Sequence, residues 1–154
     1  MDTRILLHSI AAACIACTPG GAWASADSGK NWTANGATAC ERYLTPDVVA
    51  AILGAPAGPA ARLDADFCHT GSIYIHLTVA NIDVFRQEIP NIAFAHPMTG
   101  VGDAAFWNQA GALSAVKRPD RRCDISVVGP PPKIHDAALA QKLGEICNKL
   151  FALP

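Results

Sequence analysis

The chain carries no excess of charge of either sign. Twelve Lys and Arg stand against 13 Asp and Glu over 154 residues, a formal net charge of −1. That balance supplies no basic field for nucleic acid, and no nucleic-acid partner is expected. Aromatic residues are scarce, at 6% of the sequence. No G-x-S-x-G occurs, so the strained nucleophile turn of the α/β hydrolases is missing, and Ser72 and Ser114 lie in strand or turn contexts without special neighbours. After residue 17 no apolar run is long enough to cross a bilayer, so no transmembrane segment is expected. Nor do later cysteines fall at metal-ligand spacing. Cys40, Cys68, Cys123 and Cys147 are far apart, which disfavours a metal and leaves no expected cofactor.

What is present begins with "MDTRILLHSIAAACIACTPGGAWASADSG". Arg4 precedes an apolar run to Cys17, a Pro-Gly-Gly breaker follows, and Ala22-Trp23-Ala24 supplies small residues at the positions a signal peptidase requires. This order reads as a secretory signal peptide over 1–24. Cys14 and Cys17 have the spacing of a redox dithiol, but they sit in an apolar stretch without amphipathic pattern and are read as part of the signal. Neither has a Leu-like residue three positions before it, as lipidation would need. The expected location is therefore periplasmic or secreted. The four remaining cysteines form an even set in an exported domain, which points to two disulfides.

Residues 25–38, "SADSGKNWTANGAT", are small, polar and aperiodic, and read as a flexible leader before a domain over 39–154. Thr45-Pro46-Asp47 has the form of an N-cap, a first-turn proline and a dipole-compensating acid, and Gly54 closes that helix. Ile73, Ile75, Leu77 and Val79 alternate with Tyr74, His76, Thr78 and Ala80, a strand with one core face and one semi-polar face. A shorter strand precedes it across His-Thr-Gly-Ser (69–72). A short helix over Ile82–Ile89 stops at Pro90, and "NIAFAHPM" is ambiguous. Residues 99–129 read as three strands with turns at Gly111 and at Arg118-Pro119-Asp120. Leu139, Leu143, Ile146 and Leu150 mark a last helix over about Asp136–Phe151.

Strand runs with hairpin-length connections imply an α+β fold. We expect one two-layer domain, a mainly antiparallel sheet of about five strands with N- and C-terminal helices on one face. Counting allows three disulfide connectivities. The arrangement favours the local pairs Cys40–Cys68 and Cys123–Cys147, each fastening a helix to a strand.

"CERYLTPDVVAAILG", the strand cysteine Cys68 and "GVGDAAFW" together resemble a broad set of small exported bacterial domains of unknown function, many of them actinobacterial envelope lipoproteins. The resemblance spans roughly residues 40–151. It implies a two-layer α+β domain with a cysteine joining the first helix to the sheet, and it implies no catalytic residues.

Gly100-Val101-Gly102-Asp103 lacks the helix and lysine that a phosphate cradle needs, and reads as a turn before a strand. The expected binding surface is the polar strand face with Tyr74, His76 and Thr78, joined by Trp107 and by the basic turn residues Arg118, Arg121 and Arg122. The function expected is a non-enzymatic binding domain of the bacterial envelope or medium, engaging a protein or small ligand, with an inhibitor or immunity-type protein as one form. Two alternatives are a small hydrolase or metal enzyme using His69 and His76 with Asp64 and Asp66, and a carrier of an apolar ligand between sheet and helices.

Overall fold

The computed structural model describes residues 31–54, 58, 61–62, 64–128 and 137–154. The expected signal peptide, its Cys14 and Cys17, and residues 25–30 of the expected leader lie outside the described residues.

Strands β1 (Ala61–Arg62), β2 (Phe67–Thr70), β3 (Ile73–Val79), β4 (Ala95–Met98), β5 (Ala104–Asn108), β6 (Ala112–Lys117) and β7 (Arg121–Val127) form one sheet. Its order is β1-β2-β3-β7-β6-β5-β4, antiparallel at every step. The α+β class holds, but the expected five strands were too few. Six strands have four to seven residues, and β1 adds a two-residue edge. The additions are Ala61–Arg62, which pairs with β2, and part of "NIAFAHPM", whose Ala95–Met98 pairs with β5 despite Pro97. At the sheet's edge a proline is tolerated, because its missing N–H breaks no ladder on the outer side.

The helices are α1 (Gly36–Thr38), which runs into a π-helical turn at Ala39–Tyr43, then α2 (Pro46–Leu53), α3 (Ile82–Glu88) and α4 (Ala137–Phe151). Helix α2 starts as its capping residues dictate. The Thr45 hydroxyl accepts from the Val48 N–H at 3.4 Å, Pro46 occupies the first turn, and Gly54 turns left-handed at φ 70°. Helix α4 lays Ala140, Leu143, Ile146, Cys147 and Leu150 on the sheet. Val49 of α2 joins the same core, so the N- and C-terminal helices cover one face as expected. That core contains Ile73, Ile75, Leu77, Ala105, Trp107, Leu113, Ala115, Cys123, Ile125 and Val127, the inward half of each alternating strand.

Both disulfides follow the local pairing. Cys40 is bonded to Cys68 and Cys123 to Cys147, with Cα separations of 5.4 and 5.8 Å. One ties the π-helical turn to β2 and the other ties α4 to β7.

The leader reading is corrected over residues 31–38. Trp32 is fully buried, stacks on Phe151 at 5.4 Å, and donates its indole N–H to the carbonyl of Thr78 at 2.9 Å. Gly36 lies so close to the β1–β2 turn that a Cβ there would meet the Ala65 carbonyl at 2.6 Å. A polar, aperiodic stretch thus belongs to the folded domain, because one large side chain carries its anchoring.

Candidate functional site

The two faces of the sheet are covered unequally. On the face opposite α2 and α4, helix α3 packs Ile82 and Phe85 against Phe106 and Val116. This covers the half built by β5 and β6. The half built by β2, β3 and β7 has no helix over it among the described residues.

The register determines what stands on that open half. Phe67 pairs with His76 and His69 with Tyr74 between β2 and β3, while Tyr74 pairs with Ser126, His76 with Asp124 and Thr78 with Arg122 between β3 and β7. Asp124 in turn faces Ser114 on β6. All these residues share one face, because strand partners directly opposite one another point the same way. Their partners in the alternation, Cys68, Ile73, Ile75, Leu77, Cys123 and Ile125, point into the core.

Two groups of contacts organise the face. The first is a ring cluster: Phe67 lies 6.0 Å from Tyr74 and 5.4 Å from His76, and Tyr74 stacks on His69 at 5.5 Å. These rings are half-buried, and the His76 side chain is 42% exposed. The second is polar. Arg122 Nε donates to both carboxylate oxygens of Asp124, at 3.0 and 2.9 Å, and the Ser114 hydroxyl donates to the same carboxylate. The Arg122 guanidinium also lies over the Phe85 ring at 5.5 Å, which fixes it at the border of the covered half. The His76 imidazole stands 3.6 Å from the Asp66 carboxylate.

Of the residues expected to form the binding surface, Tyr74, His76, Thr78 and Arg122 come together here. Trp107 does not. It points the other way, is buried in the main core, and stacks against His96 of β4 at 4.5 Å. Arg121 is also on the opposite side. It donates to the carbonyls of Phe151 and Leu153 at 3.1 and 2.6 Å and covers the Trp32 ring at 5.6 Å, so it clamps the end of α4. Arg118 and Lys117 lie at the β6–β7 turn, where Asp103 engages both at 3.7 and 3.3 Å. The basic turn is spent on internal pairing.

Asp103 explains the Gly-x-Gly-Asp motif. Its carboxylate accepts from the Arg118 backbone N–H at 2.9 Å, and its own N–H donates to the Val116 carbonyl. Gly102 has φ 55°, and a Cβ there would meet that same carbonyl at 2.5 Å. Asn148 of α4 bridges both glycines, donating to the Gly100 carbonyl and accepting from the Gly102 N–H. Strand β5 follows directly, and no helix N-terminus stands behind the glycines. The motif joins α4 to the hairpin. The Arg118 N–H holds the Asp103 carboxyl below the ordinary carboxylate range; partial burial opposes this, and Lys117 and Arg118 reinforce it.

The alternative cluster is half assembled. His69 and His76 share the open face, and Asp66 reaches His76. Asp64 is used locally, accepting from the Ala65 N–H. No three His, Cys, Asp or Glu side chains converge at metal-binding distance among the described residues. The Ser114 hydroxyl donates to the Asp124 carboxylate and to neither His69 nor His76. Between sheet and helices, Trp32, Leu143, Ile146, Leu150 and Phe151 fill the layer where an apolar cargo would lie. No helix of the described residues is long and apolar enough to cross a membrane.

The open face was only partly legible in sequence. Alternation in β3 identified Tyr74, His76 and Thr78; Phe67 joins them across the β2–β3 hairpin, whereas Asp124, Ser126 and Ser114 arrive through the pairing of β3 with distant β7. No protein-family model, curated protein or solved structure matches the chain.

Proposed function

We propose that this is a non-enzymatic binding domain that works outside the cytoplasm and engages its partner through the open β2-β3-β7 face. One observation carries the reading: α3 covers half of the outer sheet face, while the other half presents a contiguous set of half-buried rings and charged groups. A sheet face left without a packing layer normally carries small polar or charged side chains. Here it holds Phe67, Tyr74 and two imidazoles, residue types that favour interfaces. The two disulfides support an oxidising compartment, and the signal-like N-terminus of the sequence agrees with it. The resemblance to small exported bacterial domains adds the same setting and no activity.

The experiment is site-specific photo-cross-linking. A benzophenone side chain placed at Tyr74, in the native extracytoplasmic fraction, should form an adduct that the same probe at exposed Gln141 on α4 does not form. Equal or absent adducts at the two positions would contradict the proposal. So would stoichiometric zinc that is lost in a His76→Ala variant, since that outcome belongs to a metal enzyme.

A further inference from the structure

The partner's chemistry can be narrowed further, on the premise that the open face is the binding site. Size is the first constraint. With strands about 4.8 Å apart and same-face residues about 6.7 Å apart, the uncovered patch measures roughly 300 Å². A stable protein–protein interface draws on about 20–30 residues of each partner, more than the strand positions of this patch supply, so the patch does not hold a folded protein by itself. The ligand expected for such an area is a short chain or a small molecule.

Charge is the second constraint. The described groups of this face are one guanidinium, Arg122, and two carboxylates, Asp66 and Asp124, with His69 and His76 beside them. Arg122 is already engaged by both oxygens of Asp124. Recognition of a phosphate, a sulfate or an anionic headgroup draws on uncommitted Arg or Lys donors in a fork. Among the described residues, Lys117, Arg118 and Arg86 near this end of the sheet engage Asp103, and Arg121 donates to the carbonyls of Phe151 and Leu153. With two carboxylates against one guanidinium, whose Nε is taken by Asp124, the face does not suit an anion.

Shape and surface chemistry are the third constraint. The patch is a flat sheet surface, whereas apolar small molecules are held in concave pockets that bury most of their area. Aromatic rings in mutual contact alternate with acceptors and hydroxyls: Phe67 and His69 on β2, Tyr74, His76 and Thr78 on β3, Asp124 and Ser126 on β7. A ligand suited to this pattern needs weakly positive C–H edges that meet the negative faces of rings, and hydroxyl groups that donate to carboxylates. A sugar ring offers both at once. The polar groups are also pre-set, since Ser114 and Arg122 hold Asp124 in place before any ligand arrives. That lowers the ordering cost, which otherwise consumes most of the affinity of a small polar ligand.

We propose that the open β2-β3-β7 face binds an uncharged oligosaccharide, with Phe67 and Tyr74 against the sugar rings and Asp66, Asp124 and Ser126 taking hydroxyl contacts.

The test is titration of the exported, disulfide-bonded protein with four soluble hexasaccharides, β-1,4-linked N-acetylglucosamine, β-1,4-glucose, α-1,4-glucose and α-mannose. Amide chemical shifts and calorimetry give the readout, and phosphatidylglycerol vesicles serve as the charged comparison. The proposal predicts saturable submillimolar binding of at least one sugar, with shifts confined to β2, β3 and β7. Tyr74→Ala should weaken it roughly tenfold or more, as loss of an aromatic anchor does, while Tyr74→Phe and His96→Ala on the other face keep it. Absence of saturation at millimolar sugar, binding indifferent to Tyr74→Ala, or Tyr74-dependent binding to the vesicles instead would each overturn it. A Tyr74 adduct to a protein, without sugar binding, overturns this inference and leaves the binding-domain proposal standing. Neither sugar binding nor any adduct overturns both.

Discussion

Trp32 shows how much one side chain contributes when the chain around it has no pattern. Its ring is fully buried between Phe151 and Arg121, and its N–H satisfies backbone carbonyls 46 and 90 residues away. Replacing it with alanine removes a large core volume and two long-range contacts, so Trp32→Ala should lower unfolding free energy by about 3–5 kcal/mol in a denaturant titration. A loss below about 1 kcal/mol would return residues 31–38 to the status of a leader. A tryptophan in a polar stretch carries no period, and only its distant partners make it structural. Asp103 gives a prediction in pH. Its folded carboxyl titrates below the unfolded value, so the stabilisation is present above about pH 4 and fades as pH falls through the folded value. Asp103→Asn should thus be less stable than the parent at neutral pH, by less than about 1 kcal/mol because the group is partly exposed, with the difference closing as pH falls through the folded value. A difference that grows on acidification would contradict the assignment. Melting curves at several pH values decide it.

At the scale of elements, the legible parts are those whose cause is local. Thr45, Pro46 and Gly54 specify α2 by capping and by backbone geometry, and those groups lie within one helix length. The alternation of Ile73, Ile75 and Leu77 in β3 and of Cys123, Ile125 and Val127 in β7 matches their inward faces, whereas Val79, expected inward, ends its strand 52% exposed. The same alternation separates Arg121 from Arg122. Arg121 shares the parity of Cys123 and turns to the core side, whereas Arg122 shares that of Asp124 and reaches the open face. Grouping both with the basic turn overlooked this signal. Trp107 was misplaced for the same reason: with Ala105 it forms the inward half of β5, and Phe106 the outward half. What no local rule shows is that β7 lies beside β3, because the β4–β5–β6 excursion separates them in sequence. The disulfides act at this scale. Their loops of 28 and 24 residues correspond to about 3–4 kcal/mol each by chain entropy. A Cys123→Ala/Cys147→Ala variant should lose about that much stability and free α4 from β7 first, seen as faster amide exchange in α4 than in α2. Uniform exchange across both helices would contradict the idea that the Cys123–Cys147 bond fastens α4. Non-reducing peptide mapping of the parent protein should find only these two pairings.

The molecule as a whole is asymmetric between the two faces of one sheet. Among the described residues the inner face is sealed by α2, α4 and Trp32, and the outer face is sealed only where α3 lies. If the uncovered half is the working surface, it should become shielded when the protein is with its partner, and the rest should not. The histidines supply an internal comparison. His76 stands on the open face with its side chain 42% exposed, and exposed His96 stands on β4 with its ring toward the opposite side. Diethyl pyrocarbonate, which modifies accessible imidazoles, should label both in the purified protein. In the native extracytoplasmic fraction, quantified by mass spectrometry, labelling of His76 should fall while that of His96 stays unchanged. Equal labelling of His76 in the two settings would contradict the claim that the open face is where this protein binds.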